Sequence, residues 1–177
     1  MSDFKKALET IKTTIKNETN IIKEKLSHIE CTSSNIKSDS TVFDKLILIS
    51  DKVLENEKAL ENKKGIYIFK MKEDYQVDKN FDKCEYASKI SKNNNNNKTI
   101  FNKDKILYVG KSYKLYDRMK EHYSSSGKTY SLKLTSNERK GLESKCFVII
   151  FVLKEEFEES CYTLLPLCEQ LLHSELK

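Results

Sequence analysis

Arg118 and His122 stand four residues apart in the stretch ILYVGKSYKLYDRMKEHY, residues 106–123. On a helix that spacing places a cation and an imidazole one turn apart on the same side. The stretch opens with strand-like residues, breaks at Gly110, turns through Lys111-Ser112 and resumes with Leu115, Met119 and Tyr123 at helical spacing. Strand, glycine break and helix with Arg118 and His122 suit the binding of an anion. A charged surface helix would carry the same letters, so the pair needs a second signal. Upstream, Gly65-Ile66-Tyr67-Ile68-Phe69 is a second strand-like stretch that sets a tyrosine beside a glycine.

Taken together, Gly65-Ile66-Tyr67 and Tyr108-Val109-Gly110, followed by Lys111-Ser112, Leu115, Arg118 and His122, resemble the GIY-YIG nuclease family. The likeness covers roughly residues 63–123 and carries Val109 in the second triplet where the family name has isoleucine. It implies an endonuclease of the restriction or orphan type that hydrolyses phosphodiester bonds of double-stranded DNA with one divalent cation, Mg2+ or Mn2+. In that scheme Tyr67 is the base or proton relay, and Tyr108 positions the water or Tyr67. A free phenol titrates near pKa 10, so Tyr67 needs nearby cations, Arg118 and Lys111. Arg118 would also stabilise the charged transition state, and His122 would orient a tyrosine or shuttle a proton. Leu167-Cys168-Glu169-Gln170-Leu171-Leu172 looks like the family's final helix, which makes Glu169 the metal ligand. The alternative is a nucleic-acid-binding protein that keeps the nuclease fold without its chemistry. A third reading is a helical interaction protein in which that fold is only a scaffold.

The charge distribution agrees with a phosphate-binding face on the same segment. Residues 98–145 hold 12 Lys or Arg against 5 Asp or Glu, whereas residues 146–177 hold 2 against 6, within a chain of net charge +5. Lys111, Lys114, Lys128 and Lys133 are the DNA-binding candidates in the basic segment. The five cysteines, Cys31, Cys84, Cys146, Cys161 and Cys168, form no CxxC pair and are odd in number, which speaks against a disulfide framework and a zinc site. They are expected to be reduced thiols. No run of about 18 apolar residues is present, and Met1-Ser-Asp-Phe-Lys-Lys6 lacks the apolar core of a signal peptide. An intracellular protein without a membrane partner is the expectation.

The elements that would position these residues follow from periodicity. Leu8, Ile11, Ile15, Ile22 and Ile29 predict an amphipathic first helix. Ser40 or Thr41 as cap, with Phe43, Leu46, Ile49, Val53 and Leu60, predicts a second helix packed on the first. Residues 1–62 are thus expected to be an N-terminal helical hairpin that covers the core or supplies a homodimer contact. Residues 63–177 are expected to be the nuclease-like domain, with a low-complexity insertion at about 72–103 that includes Asn93 to Asn97. Short helices are expected at residues 79–90 and 137–142, and a flexible basic loop at Ser124 to Lys128. The fold class is α/β: a small, three-stranded, mostly antiparallel sheet from residues 65–71, 105–110 and 146–153, flanked by helices. A last helix is expected to begin near Thr163 with Pro166 in its first turn.

Overall fold

The computed structural model describes residues 2–27, 36–37, 40, 42–49, 53–72, 106–124, 132, 134, 144 and 146–175. The expected low-complexity insertion, the short helices at 79–90 and 137–142, the loop from Ser124 to Lys128 beyond its first residue, and the side chains of Lys128 and Lys133 lie outside the described residues.

Among the described residues the chain is a mixed α/β structure built on one antiparallel sheet. Its elements are α1 (Ser2–Ser27), β1 (Ile36–Lys37), β2 (Phe43–Ile49), a 3-10 turn at Val53–Asn56 leading into the short helix α2 (Glu57–Leu60), and β3 (Gly65–Met71). β4 (Ile106–Ser112), α3 (Leu115–Tyr123), β5 (Cys146–Leu153), a 3-10 segment at Glu155–Ser160 and α4 (Cys161–Glu175) complete it. The strand order is β1-β2-β5-β3-β4, and every pairing is antiparallel. The three expected strands are present and adjacent, but the sheet is larger than expected because β2 and the two-residue β1 extend it beyond β5.

The expected N-terminal helical hairpin is corrected: its first helix is α1, but its second is the strand β2. The cap signal at Ser40 was real as a hydrogen-bond pattern. Ser40 Oγ accepts the amides of Val42 and Phe43 at 3.2 and 2.8 Å, as a cap would, and donates to the Glu18 carboxylate on α1. The chain nevertheless leaves extended, because β5 offers a full row of partners from Phe43↔Leu153 to Ile49↔Val148. Among the described residues, β2 joins the sheet and α1 packs on its core. Buried Ile15 and Ile22 of α1 join Phe151, Leu165 and Leu172 in one cluster.

β5 is apolar throughout and buried at all eight positions, as a central strand covered on both faces must be. Phe147, Ile149, Phe151 and Leu153 face α1 and α4, whereas Cys146, Val148, Ile150 and Val152 face α2 and α3. Phe43 meets Phe151 edge to face, with centroids 5.9 Å apart. Cys146, Cys161 and Cys168 are buried free thiols, and burial beside Glu18 pushes the Cys168 thiol up to about 12. The last helix starts at Cys161, two residues before the expected Thr163, so Pro166 sits at its sixth position rather than in its first turn. Its missing N–H would have bonded the carbonyl of Tyr162, near the exposed start of the helix. No helix of the described residues is long and apolar enough to cross a membrane.

Two close approaches fix how β3 enters the site. Asn62 adopts φ 55° and ends α2, with Lys63 N–H bonded to Leu60 O at 3.2 Å. Three residues on, Gly65 pairs with both Val152 and Ser112, and a Cβ there would lie 2.0 Å from the Phe151 carbonyl oxygen. Gly65→Ala must force β3 and β5 apart, which costs roughly 2 kcal/mol or more on the scale of overpacked interiors. A fall in melting temperature of about 4–8 °C is expected for a chain of this size, measured by calorimetry. An unchanged melting temperature would show that the strands are not in this contact.

Candidate functional site

The β3–β4 register decides which side chains meet. Tyr67 pairs with Gly110 and Phe69 with Tyr108, so Tyr67 and Tyr108 are diagonal neighbours on one face of the sheet. Their rings stack at 5.8 Å with an interplanar angle of 16°. A side chain at position 110 would prevent this. A Cβ there would fall 2.5 Å from the Tyr67 hydroxyl and 2.5 Å from the Tyr108 ring, so glycine is what lets the two tyrosines close over β4.

Helix α3 covers the same face. Leu115 and Met119 bury into the cluster beneath it, and the Leu115 amide bonds Lys63 O at 2.9 Å, tying the helix start to the turn before β3. This seating brings Arg118 and His122 onto Tyr67. Arg118 Nε–H donates to the Tyr67 hydroxyl at 3.0 Å, its Nη2 lies 3.4 Å from the Tyr108 hydroxyl, and its Nη1 pairs with Glu121. His122 is fully buried and its Nε2 lies 3.1 Å from the same Tyr67 oxygen.

The backbone settles the histidine tautomer. The Leu132 amide donates to His122 Nδ1 at 3.0 Å, so Nδ1 is the acceptor. Burial, reinforced by Arg118, pushes the His122 pKa well below its usual value, so the ring is neutral and carries its one proton on Nε2. His122 therefore donates to Tyr67, and the phenol oxygen accepts two hydrogen bonds, from Arg118 and from His122. Of the two roles left open by the sequence, orienting the tyrosine is the one this tautomer serves.

The expectation that cations would draw the Tyr67 proton off at neutral pH needs correction. Arg118 is in place and does pull the phenol downward, but burial is the larger effect, Tyr108 adds to it, and the pKa ends well above 10. Tyr67 is a neutral phenol in the free protein, with donors already arranged around the oxygen that would bear the charge.

Lys111 and Glu169 form a second group. Lys111 pairs with Ile66 and so shares the α1/α4 face of the sheet, opposite to that of Tyr67. Its ammonium lies 2.6 Å from Glu169 Oε2, and its backbone amide donates to Oε1 at 3.2 Å. Both side chains are mostly shielded, at 27% and 20% exposure. Sequence reasoning joined all six residues into one site; the structure gives a tyrosine–arginine–histidine cluster on one face of β4 and a lysine–glutamate pair on the other. Lys114, the remaining described DNA-binding candidate, is exposed at the start of α3.

Among the described residues there is no group of three or more His, Cys, Asp or Glu placed to hold a metal ion. Glu169 alone still suits a hard cation of low protein coordination. Each of its oxygens takes one donor from Lys111, and a carboxylate has about four acceptor positions. Magnesium is commonly held by one or two carboxylates together with substrate phosphates.

Sequence reasoning missed three contributors. Glu121 was legible as a charge three residues from Arg118 on a helix. The space at Gly110 needed the register, and the Leu132 amide has no side-chain signature at all. Comparison of the chain with protein-family models, with curated proteins and with solved structures finds no match.

The depressed His122 pKa makes stability depend on pH. Below about pH 6.5 the unfolded chain takes up a proton that folded His122 refuses, so stability present above that pH is lost as pH falls. The slope from this group approaches about 1.4 kcal/mol per pH unit below 6.5. Urea unfolding of the wild type and His122→Gln at pH 7.5, 6.5 and 5.5 measures it: the gap between them should narrow toward low pH. A constant gap would mean that His122 titrates alike in both states.

Proposed function

We propose that this protein is a GIY-YIG-type endonuclease that hydrolyses phosphodiester bonds in double-stranded DNA. The observation that carries the reading is the Tyr67 hydroxyl, which accepts hydrogen bonds from Arg118 and His122 while Tyr108 stacks beside it. Hydrolysis needs a water relieved of a proton, a neutralised phosphate and help for the departing oxygen. Tyr67 is the proton acceptor in this scheme and acts as its phenolate. The phenol first releases its proton to solvent, Arg118 and His122 stabilise the phenolate without rearrangement, and the phenolate then takes a proton from the attacking water. Arg118, positioned by Glu121, neutralises the phosphate through the charge of its guanidinium. Tyr108 holds the arginine and the first tyrosine in place. Glu169 is the residue that would hold Mg2+ or Mn2+, and the cation's contribution is charge neutralisation at the phosphate. Lys111 holds that carboxylate now and lies within a basic segment, so a DNA phosphate is its natural alternative partner.

A second reading, DNA binding without cleavage, is favoured by one observation: Glu169 is engaged by Lys111 and lies on the opposite face of β4 from Tyr67. Incubation of plasmid DNA with Mg2+ or Mn2+ separates the two. Cleavage is expected, with Tyr67→Phe, Arg118→Ala and Glu169→Gln each slowing it by about a hundredfold or more, the scale of losing one charge-stabilising group. Retention of wild-type rates by Glu169→Gln would remove Glu169 from the site, and absence of any cleavage would favour the binding protein.

The pH dependence follows from the raised phenol. The phenolate becomes more abundant as pH rises, so the single-turnover rate should climb about tenfold per pH unit through pH 8–9. Neutral His122 adds no limb near 6.5. A plateau from pH 6 upward would show that Tyr67 is not the titrating base.

A further inference from the structure

We propose that the Tyr113–Tyr162 ring pair is a stacking platform for one unpaired nucleobase, so that the protein favours DNA with an unpaired base near the cut over continuous duplex. The proposal rests on the DNA reading above. Tyr162 is 72% exposed, against 40% for Leu54 and 37% for Leu167, the other large apolar side chains exposed among the described residues. Single exposed apolar residues are common and need no explanation. Tyr162 differs in being fixed: its ring lies 4.7 Å from that of Tyr113 at an angle of 35°, and Tyr113 is itself packed on the core under α1 and α4. One ring braces the other, so a face of exposed aromatic surface is held in place with little entropy left to lose.

The position ties the pair to the site. Tyr113 is two residues beyond Lys111, and Tyr162 is two helical turns before Glu169 on the same side of α4. Seven residues at about 1.5 Å each place the platform roughly 10 Å along the helix from Glu169. That is about three base steps of 3.4 Å along one strand. A base displaced from the duplex one to three nucleotides from a phosphate held at Lys111 can reach it.

Charge selects the base over the backbone. Tyr162 follows a turn that carries Glu155, Glu156, Glu158 and Glu159, of which Glu155 pairs with Lys63 at 3.5 Å and Glu158 with Lys64 at 2.7 Å. Acidic surface repels a sugar–phosphate chain, while the uncharged face of a base meets no such penalty. Base–aromatic stacking is tolerant of sequence because every base has a π face, so the platform selects for an unpaired base without reading its identity.

The test is equilibrium binding in EDTA, without cleavage, of two labelled duplexes that differ by one unpaired 2-aminopurine. Wild type should bind the bulged duplex about five- to a hundredfold more tightly than the paired one, the range for stacking one base, with quenching of 2-aminopurine fluorescence. Tyr162→Phe should keep both effects. Tyr162→Ala should bind the two duplexes alike, with affinity for the paired one unchanged. Equal binding of both duplexes by wild type, or an equal loss on both with Tyr162→Ala, overturns the platform while leaving DNA binding intact. Failure of wild type to bind either duplex overturns the DNA reading and the platform with it. Because nothing is cut, a protein that binds DNA without cleaving it gives the same answer.

Discussion

A buried phenol oxygen accepting two hydrogen bonds is the contact on which the rest of this structure depends. Each donor reaches Tyr67 only because another element holds it. Arg118 requires α3 to lie flat on the sheet, His122 requires the amide of Leu132 to fix its tautomer, and Tyr67 itself requires the absence of a side chain at Gly110. Burial opposes charge on the oxygen, and the donors favour it. The free protein rests on the neutral side of that balance, with the groups that stabilise charge already in position. Such preorganisation costs folding stability and returns it when charge develops.

The two faces of the sheet divide the labour. The face under α2 and α3 carries the aromatic and cationic residues, while the face under α1 and α4 carries Lys111 and Glu169. Strand β4 is common to both, because alternate side chains of one strand point to opposite sides. Among the described residues it also stands at the end of the sheet, where side chains from both faces can approach a ligand laid along the edge. A phosphate meeting Arg118 from one side and Lys111 from the other would bridge the two groups. The electrostatic asymmetry of the sequence, basic in 98–145 and acidic beyond, suits a polyanion on the β4 edge held away from the turn before α4.

Much of this arrangement was legible in the sequence, and the parts that were not have identifiable causes. Strands β3, β4 and β5 could be read from short apolar runs bounded by glycine and polar turns, and α3 from the helical spacing of Leu115, Met119 and Tyr123, with Arg118 and His122 one turn apart. Strand β2 was misread. Phe43, Leu46, Ile49 and Val53 recur every three or four residues and follow a serine that bonds the next amides, which is what a helix start looks like. The run Leu46-Ile47-Leu48-Ile49 fits a strand equally well, and the choice is made by β5, about a hundred residues away. Helical spacing named Arg118 and His122, and the resemblance to the GIY-YIG family added Tyr67 and Tyr108. Neither could show that Glu169 approaches from the other face or that burial outweighs Arg118 at the phenol, because both depend on tertiary packing.

The placement of β5 has a consequence for how the chain is made. This strand is at the centre of the sheet, pairing with β2 on one side and β3 on the other, yet it follows both of them in the chain, β2 by about a hundred residues. Until it emerges, β2 and β3 have no shared neighbour, and α1 has neither β5 nor α4 to cover its apolar stripe. Synthesis from the N-terminal side therefore leaves both halves of the core open, with apolar edges exposed, until β5 has been made. The nascent protein is thus expected to depend on chaperones most heavily just before β5 and α4 emerge.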